Sequence, residues 1–171
     1  MQITLKNRAL SFGSLSTYSF AVMFIIGNIV FPQLFHFIPQ GGMTWLPIYF
    51  FTLVGAYICG WRVGLLTALA SPVINSLLFD MPAAGVLPAI IIKSVILALM
   101  AGYASWRFNK VTLAGIAAIV IGYQSIGTLG EWALTGDFGI ACQDFRIGIP
   151  GMLLQLTAGY LIINFATKKL K

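Results

Sequence analysis

Charged residues are scarce in this sequence. They make up 8% of its 171 residues, whereas a soluble domain carries roughly 25%. Hydrophobic residues make up 59%, and the mean hydropathy is +0.94. So little polar material cannot cover a water-facing surface, whereas lipid requires an apolar exterior. The composition therefore excludes a water-soluble globular protein and predicts an integral membrane protein.

Residues that carry catalysis or bind metals are also few. The chain has one histidine, His36, and two cysteines, Cys59 and Cys142. The cysteine spacing is not that of a metal site, and the topology below puts the two thiols on opposite membrane faces, so no disulfide within one chain is expected. An intramembrane enzyme would lack a base, because no Ser/His pair shares a depth and every acid lies near one face. We expect no catalytic residue, no metal and no cofactor.

Six apolar stretches run along the chain, separated by short breaks that hold turn residues and most of the interior charges. A membrane-spanning helix needs roughly 20 mostly apolar residues. The stretches predict an all-α fold, a compact six-transmembrane-helix bundle in a single domain over 1–171, with helices near 10–35, 45–60, 62–79, 85–106, 111–131 and 146–166. Because the second and third are short and joined by a very tight turn, we expect one of them to be tilted, broken or partly re-entrant.

The basic residues indicate an orientation rather than a nucleic-acid partner, because they stand singly or in pairs at helix ends. Positive residues resist translocation. With the N-terminus inside, most of the ten basic residues become cytoplasmic: Lys6, Arg8, Arg62, Arg107, Lys110, Lys168, Lys169 and Lys171. The four acids then fall on the external face: Asp80, Glu131, Asp137 and Asp144. We predict a multi-pass protein of the cell (inner, cytoplasmic) membrane with both termini in the cytoplasm.

Lys93 is the most informative residue of the predicted bundle. A charge at the bilayer centre costs roughly 2.5 to 3.5 kcal/mol on insertion scales, so such a residue normally faces a partner or a cavity. Counted from the external helix ends at about 1.5 Å per residue, Lys93 lies roughly 10 to 14 Å deep. Other polar side chains share its depth or its outer half of the membrane: Gln124, Gln155, Asn28, Tyr49 and Asn75. We predict that this layer forms a substrate-binding site that opens outward.

Helix packing is the alternative explanation of the same layer. Polar side chains in membrane bundles bond across helices for about 0.6 kcal/mol with no ligand involved. Lys93 could likewise form a structural ion pair with Glu131, or be a surface lysine whose ammonium reaches the interface. We include Glu131 among the candidate site residues, and the sequence leaves open whether Lys93 contacts a ligand or Glu131.

The segment from His36 to Trp45 could close over such a pocket. Gly41 and Gly42 permit a hinge, and Trp45 can stack on a ligand or plug the opening, although an interfacial anchor is an equally good explanation of this tryptophan. On the first helix, small residues recur every four positions and leave a groove for another helix: Ala9, Gly13, Thr17 and Ala21. Packing within the bundle explains this groove equally well.

The middle of the chain resembles the substrate-binding S component of energy-coupling factor (ECF) vitamin transporters. The likeness covers roughly residues 42 to 104. It is carried by the stretch from Gly42 to Tyr49, by Gly60-Trp61-Arg62-Val63-Gly64-Leu65-Leu66, by Ser71-Pro72 and by Met81-Pro82. The resemblance implies a small bundle that captures a vitamin or vitamin precursor outside and docks, through a small-residue face on helix 1, onto a membrane coupling subunit driven by two cytoplasmic ATPases.

Three further observations refine this expectation. The chain has no Walker-type phosphate-binding motif, so an ATP-driven step must come from partners. Lys93 stands where some relatives place an acid, which favours a carboxylate, phosphate or other electron-rich ligand group. Met1 to Leu5 lack the histidine motif of nickel and cobalt members, so metal transport is not expected.

A membrane scaffold or assembly subunit with no small-molecule ligand is the alternative function. It requires the polar layer to serve helix packing alone and the bundle to be closed. A channel is disfavoured because one lysine and a few amides form no ring of selectivity groups.

Overall fold

The computed structural model describes residues 10–35, 37–108 and 110–169, which are mostly helical and contain no strand. We number the helices in chain order: α1 (Leu15–Phe35), α2 (Gly41–Trp45), α3 (Pro47–Cys59), α4 (Trp61–Phe79), α5 (Leu87–Arg107), α6 (Leu113–Thr135), α7 (Phe138–Ala141), α8 (Gln143–Ile147) and α9 (Ile149–Lys169). The first turn of α3 is a 3-10 turn over Pro47–Tyr49, and α9 contains a π-helical segment over Gln155–Gly159.

Five of these helices are long and apolar enough to cross a membrane: α1, α4, α5, α6 and α9. Each leaves large apolar side chains exposed, which suits contact with lipid: Ile26, Leu77, Leu99, Leu129 and Leu161. The all-helical fold and the multi-pass membrane character predicted from composition are therefore confirmed.

The second predicted span corresponds to α3, which is shorter than the other five. It has 3 residues in the 3-10 turn and 10 in the α-helix. At about 1.5 Å per residue this gives roughly 20 Å, less than the ~30 Å of a hydrocarbon core. The number of crossings stays a prediction.

Helix α3 lies in the centre of the bundle, in contact with α1, α4 and α5. Leu53 and Ala56 are completely buried, and most of their neighbours on this helix are buried as well. Gly60 alone joins α3 to α4 with a φ of +95°, a conformation that a side chain would strain. At the start of α4, the backbone of Trp61 approaches Gly102 on α5 so closely that a Cβ there would lie 2.6 Å from the Trp61 Cα atom. Glycine thus permits the close helix packing that membrane bundles require.

Charged residues near the helix ends give the molecule one basic end and one acidic end. The basic end carries Arg62, Arg107, Lys110, Lys168 and Lys169, at or beyond the ends of α4, α5, α6 and α9. The acidic end carries Asp80, Glu131, Asp137 and Asp144, together with Arg146. Cys59 closes α3 at the basic end, whereas Cys142 lies between α7 and α8 at the acidic end.

Candidate functional site

A cavity of about 310 Å³ lies at the acidic end of the bundle. Small-molecule sites in proteins range over roughly 300 to 1,000 Å³, so this cavity suits a small ligand. Its walls come from the end of α1, from α2 and the start of α3, from the connection before α5, and from the first turns of α5. The end of α6 and the short helix α8 complete it. The cavity is partly open rather than sealed.

Three ionised side chains line one side of this cavity, and we call them the charged cluster: Lys93, Glu131 and Asp144. The Lys93 ammonium donates to Asp144 Oδ2 at 2.7 Å and pairs with Glu131 Oε2 at 2.5 Å. Lys93 lies on α5, Glu131 on α6 and Asp144 on α8, so the cluster joins three elements. Two carboxylates face one ammonium, and the formal charge of the cluster is therefore −1.

Local packing sets the position of the Lys93 side chain. Gly127 lies one turn before Glu131 on α6, and a Cβ at Gly127 would overlap the Lys93 Cγ atom. The missing side chain lets α6 pass against the lysine stem, so the ammonium extends to Glu131. Only 3% of the lysine side chain is exposed, against 12% for Glu131 and 16% for Asp144. The cation is thus covered, and the carboxylates are the more accessible members.

The rest of the cavity wall is largely apolar. Met43, Leu46, Ile48 and Ile90 supply aliphatic and thioether surface, and Tyr49 supplies an aromatic ring. A mostly apolar hollow with a few converging polar groups is the usual character of a small-molecule site.

The segment predicted as a cover does form a wall of the cavity. Gly42 and Met43 on α2, and Leu46 after it, line the cavity. Trp45 does not line it; its ring packs on Phe35 at a centroid distance of 5.4 Å. His36 lies outside the described residues.

Asn28 and Asn75 take part in helix packing rather than in the cavity wall. The Asn28 amide donates to Thr52 Oγ1 at 2.9 Å and to Ser71 Oγ at 3.1 Å, and its Oδ1 accepts from the Phe51 N–H at 3.1 Å. The Asn75 amide donates to the Asn28 carbonyl at 2.9 Å. These bonds join α1, α3 and α4. The structure thus departs from the prediction that both asparagines share a pocket with Lys93: the Asn28 side chain turns to α3 and α4, and the Asn75 amide turns to the backbone of α1.

Gln124 and Gln155 are completely buried and do not line the cavity either. The Tyr123 hydroxyl donates to Gln155 Oε1 at 3.0 Å. The ring centroids of Tyr123 and Tyr49 are 5.4 Å apart, so the hydrogen-bonded Tyr123 and Gln155 lie behind the cavity wall that Tyr49 forms. Both amide atoms of Gln124 lack a hydrogen-bond partner among the described residues. The predicted single layer is therefore divided: of its six members, Lys93 and Tyr49 line the cavity, as does Glu131, which was a candidate site residue outside the layer.

Asp144 was not among the predicted site residues. The sequence places it with the external acids, and the charge of Lys93 requires a counter-ion, so the signal was present. From the sequence alone, Glu131 is the predicted partner of Lys93. Asp144 is 51 positions from Lys93, and its approach depends on where the short helix α8 packs.

The small-residue groove predicted on the first helix is not a free surface in this structure. Thr17 and Ala21 are buried against the bundle, and the Thr17 hydroxyl donates to the Ser11 carbonyl at 2.5 Å. Gly13 is exposed but precedes α1, and Ala9 lies outside the described residues. The groove residues that can be placed in α1 thus serve internal packing, the alternative that the sequence left open.

No protein-family model, curated protein or solved structure matches the chain. Within the described residues, no group of three or more His, Cys, Asp or Glu side chains is placed to hold a metal ion.

Proposed function

We propose that this chain is the substrate-binding subunit of an ECF-type importer. It captures a vitamin or vitamin precursor from the external side of the cell membrane, and partner subunits drive uptake with ATP. The observation that carries the proposal is the cavity of about 310 Å³ with its charged cluster at one end of a helical membrane bundle. The resemblance of residues 42 to 104 to S components supports the choice of family.

The proposal includes an orientation and a number of crossings. We count α2 and α3 together as a short sixth crossing, because α3 connects the acidic end to Gly60 at the basic end. The basic end faces the cytoplasm, since positive residues resist translocation. Both termini then lie in the cytoplasm, and the cavity faces the outside, where a substrate would be captured.

The proposed partners are a membrane coupling subunit and two cytoplasmic ATPases. Thr17 and Ala21 are buried in the isolated chain. Docking through them therefore requires α1 to move away from its neighbours, whereas docking without such a movement must use other side chains of α1.

A scaffold function is the second candidate, favoured by the ion pairs of Lys93. These pairs give Lys93 a structural role, as the hydrogen bonds of Asn28 do for that side chain. A closed and filled bundle would complete that explanation. A scaffold function does not explain the cavity beside Lys93.

The binding of vitamins to the purified protein tests the proposal. A panel of vitamins and precursors is titrated against wild type and against Ala89→Phe, whose added ring enters the cavity, since Ala89 is a buried part of its wall. Ala84→Phe is the matched control, because Ala84 is exposed and outside the cavity wall. We expect one ligand to bind wild type and the control, and Ala89→Phe to weaken binding at least tenfold. No binding of any panel member to folded protein would overturn the proposal in favour of the scaffold.

A further inference from the structure

We infer that the ligand of this cavity is a small organic cation, with a compact apolar or aromatic body and one ammonium, amidinium or protonated heterocyclic group. The inference rests on the proposed function and narrows its substrate class. It reverses the expectation from the sequence, where the positive charge of Lys93 favoured a carboxylate or phosphate ligand. Three features of the site carry it: the charge of the cluster, the accessibility of its members and the character of the walls.

The charge of the cavity wall favours a cation. Among the residues that line it, the ionised ones are Lys93, Glu131 and Asp144. One positive and two negative groups leave a formal charge of −1, and Arg146 on α8 is exposed and outside the wall. Opposite charges attract more strongly where water is partly excluded. A cation entering the cavity would balance this charge, whereas an anion would increase the excess.

Accessibility favours the same ligand. The lysine side chain is 3% exposed and its ammonium contacts both carboxylates, so little of it faces the hollow. Glu131 and Asp144 keep 12% and 16% exposure. The second oxygens, Glu131 Oε1 and Asp144 Oδ1, accept no hydrogen bond from any described residue. A carboxylate oxygen accepts hydrogen bonds and cannot donate them when ionised. The cavity therefore offers hydrogen-bond acceptors to a ligand that carries hydrogen-bond donors.

The walls suit the body of such a ligand. Met43 and Met81 offer polarisable thioethers, and the Tyr49 ring lies in the wall with 2% of the residue exposed. Thioether sulfur packs well against aromatic rings, so a ligand with an aromatic body suits these walls. The volume, about 310 Å³, admits a small molecule with one charged group rather than a large polyvalent one.

The charge preference is tested with three probes that share a phenyl ring and differ in the end group. These are 2-phenylethylammonium, 3-phenylpropionate and the uncharged 2-phenylethanol, each titrated against protein in lipid nanodiscs. We expect the ammonium probe to bind at least tenfold more tightly than the carboxylate probe. A preference for the carboxylate probe, or equal binding of the charged probes, would overturn the inference.

Two variants locate the preference at the cluster. Asp144→Asn and Glu131→Gln each bring the formal charge of the cluster to zero, and each should remove most of the preference for the ammonium probe. Asp137→Asn is the control, because Asp137 is exposed, lies outside the cavity wall and caps α7, a role that asparagine also fills. If either cluster variant fails to fold, the other carries the test. An unchanged preference in the folded variant would overturn the inference.

The same experiment separates failure of the inference from failure of the proposed function. If the carboxylate probe binds and Ala89→Phe blocks it, the cavity binds ligands but the charge assignment is wrong. If no probe binds, mass spectrometry of molecules that co-purify with wild type but not with Ala89→Phe decides. A co-purified cation supports the inference, and an anion overturns it. If no molecule co-purifies and neither a probe nor a member of the vitamin panel binds, both proposals are overturned; a panel member that does bind decides the inference by its charge.

Discussion

Lys93 illustrates how a membrane bundle holds a charge. An unpaired ammonium within the bilayer is costly, but here two carboxylates lie within 2.7 Å of the nitrogen. The pairing leaves the carboxylates more exposed than the cation. A residue that marks a positive site in the sequence thus lies in a cluster whose formal charge is negative.

Replacing Lys93 should destabilise the fold more than replacing either acid. In Lys93→Met two carboxylates lose their shared cation, whereas Asp144→Asn leaves the Lys93–Glu131 pair intact. Breaking a buried pair in this way costs about 3 to 5 kcal/mol. Unfolding of the purified protein in mixed micelles measures the loss, with Lys168→Met at the exposed basic end as the control. Equal stability of the two methionine variants would show that the cluster contributes nothing to the fold.

Asn28 should matter for stability and not for ligand binding. Its side chain joins α1 to Thr52, Ser71 and the Phe51 amide, and interhelical hydrogen bonds in membranes contribute about 0.6 kcal/mol each. Asn28→Ala removes three of them, so we expect a loss of about 2 kcal/mol in unfolding free energy. The affinity for the cavity ligand should change less than twofold. If the variant had the unfolding free energy of wild type but no longer bound the ligand, Asn28 would belong to the binding site.

Helix positions could be predicted well where apolar length alone sets them. The predicted stretches 62–79, 85–106 and 111–131 correspond to α4, α5 and α6 within a few residues. The last stretch, predicted at 146–166, begins later as α9, because α7 and α8 form separate short helices before it. Such short elements depend on packing at the acidic end and leave no hydrophobic signal of their own.

The site could be predicted only in part, because sequence gives depth but not rotation about the helix axis. In a soluble helix the polar side reveals the buried side. In lipid the exposed side of a helix is as apolar as its buried side. The sequence therefore does not show in which direction the side chain of Asn28 or Gln124 points. Depth grouped Lys93 and Tyr49, which line the cavity. It also grouped Asn75 and Gln155, which turn toward other helices.

Close contact between α4 and α5 depends on Gly102. A Cβ at this position would lie 2.6 Å from the Trp61 Cα and 2.7 Å from its nitrogen, both backbone atoms that cannot move freely. Overpacking of this kind costs about 1 to 3 kcal/mol. We therefore expect Gly102→Ala to lower the unfolding free energy by that amount. Gly85→Ala is the control, because a Cβ at Gly85 meets no atom within 4 Å. If both variants were equally stable, the packing of Trp61 on Gly102 would be looser than the structure indicates.

The molecule as a whole is polarised, with bases at one end and acids with the cavity at the other. This arrangement predicts which end reacts with a membrane-impermeant maleimide in intact cells. In a chain whose two cysteines are replaced by alanine, Asp137→Cys should react from outside, and Lys168→Cys only after the membrane is permeabilised. Both positions are exposed, so accessibility depends on the side of the membrane. The reverse pattern would place the cavity in the cytoplasm and remove the basis for uptake from outside.

Capture of a molecule between the apolar walls and the charged cluster is the central claim at this scale. Its most direct test is an experimental structure of the protein purified with its co-purifying ligand. We predict density for one small molecule in the cavity, with a donor group within about 3.2 Å of Glu131 or Asp144. A cavity closed by side chains, with the ligand absent or held elsewhere, such as beside Gln124 and Gln155, would contradict the claim.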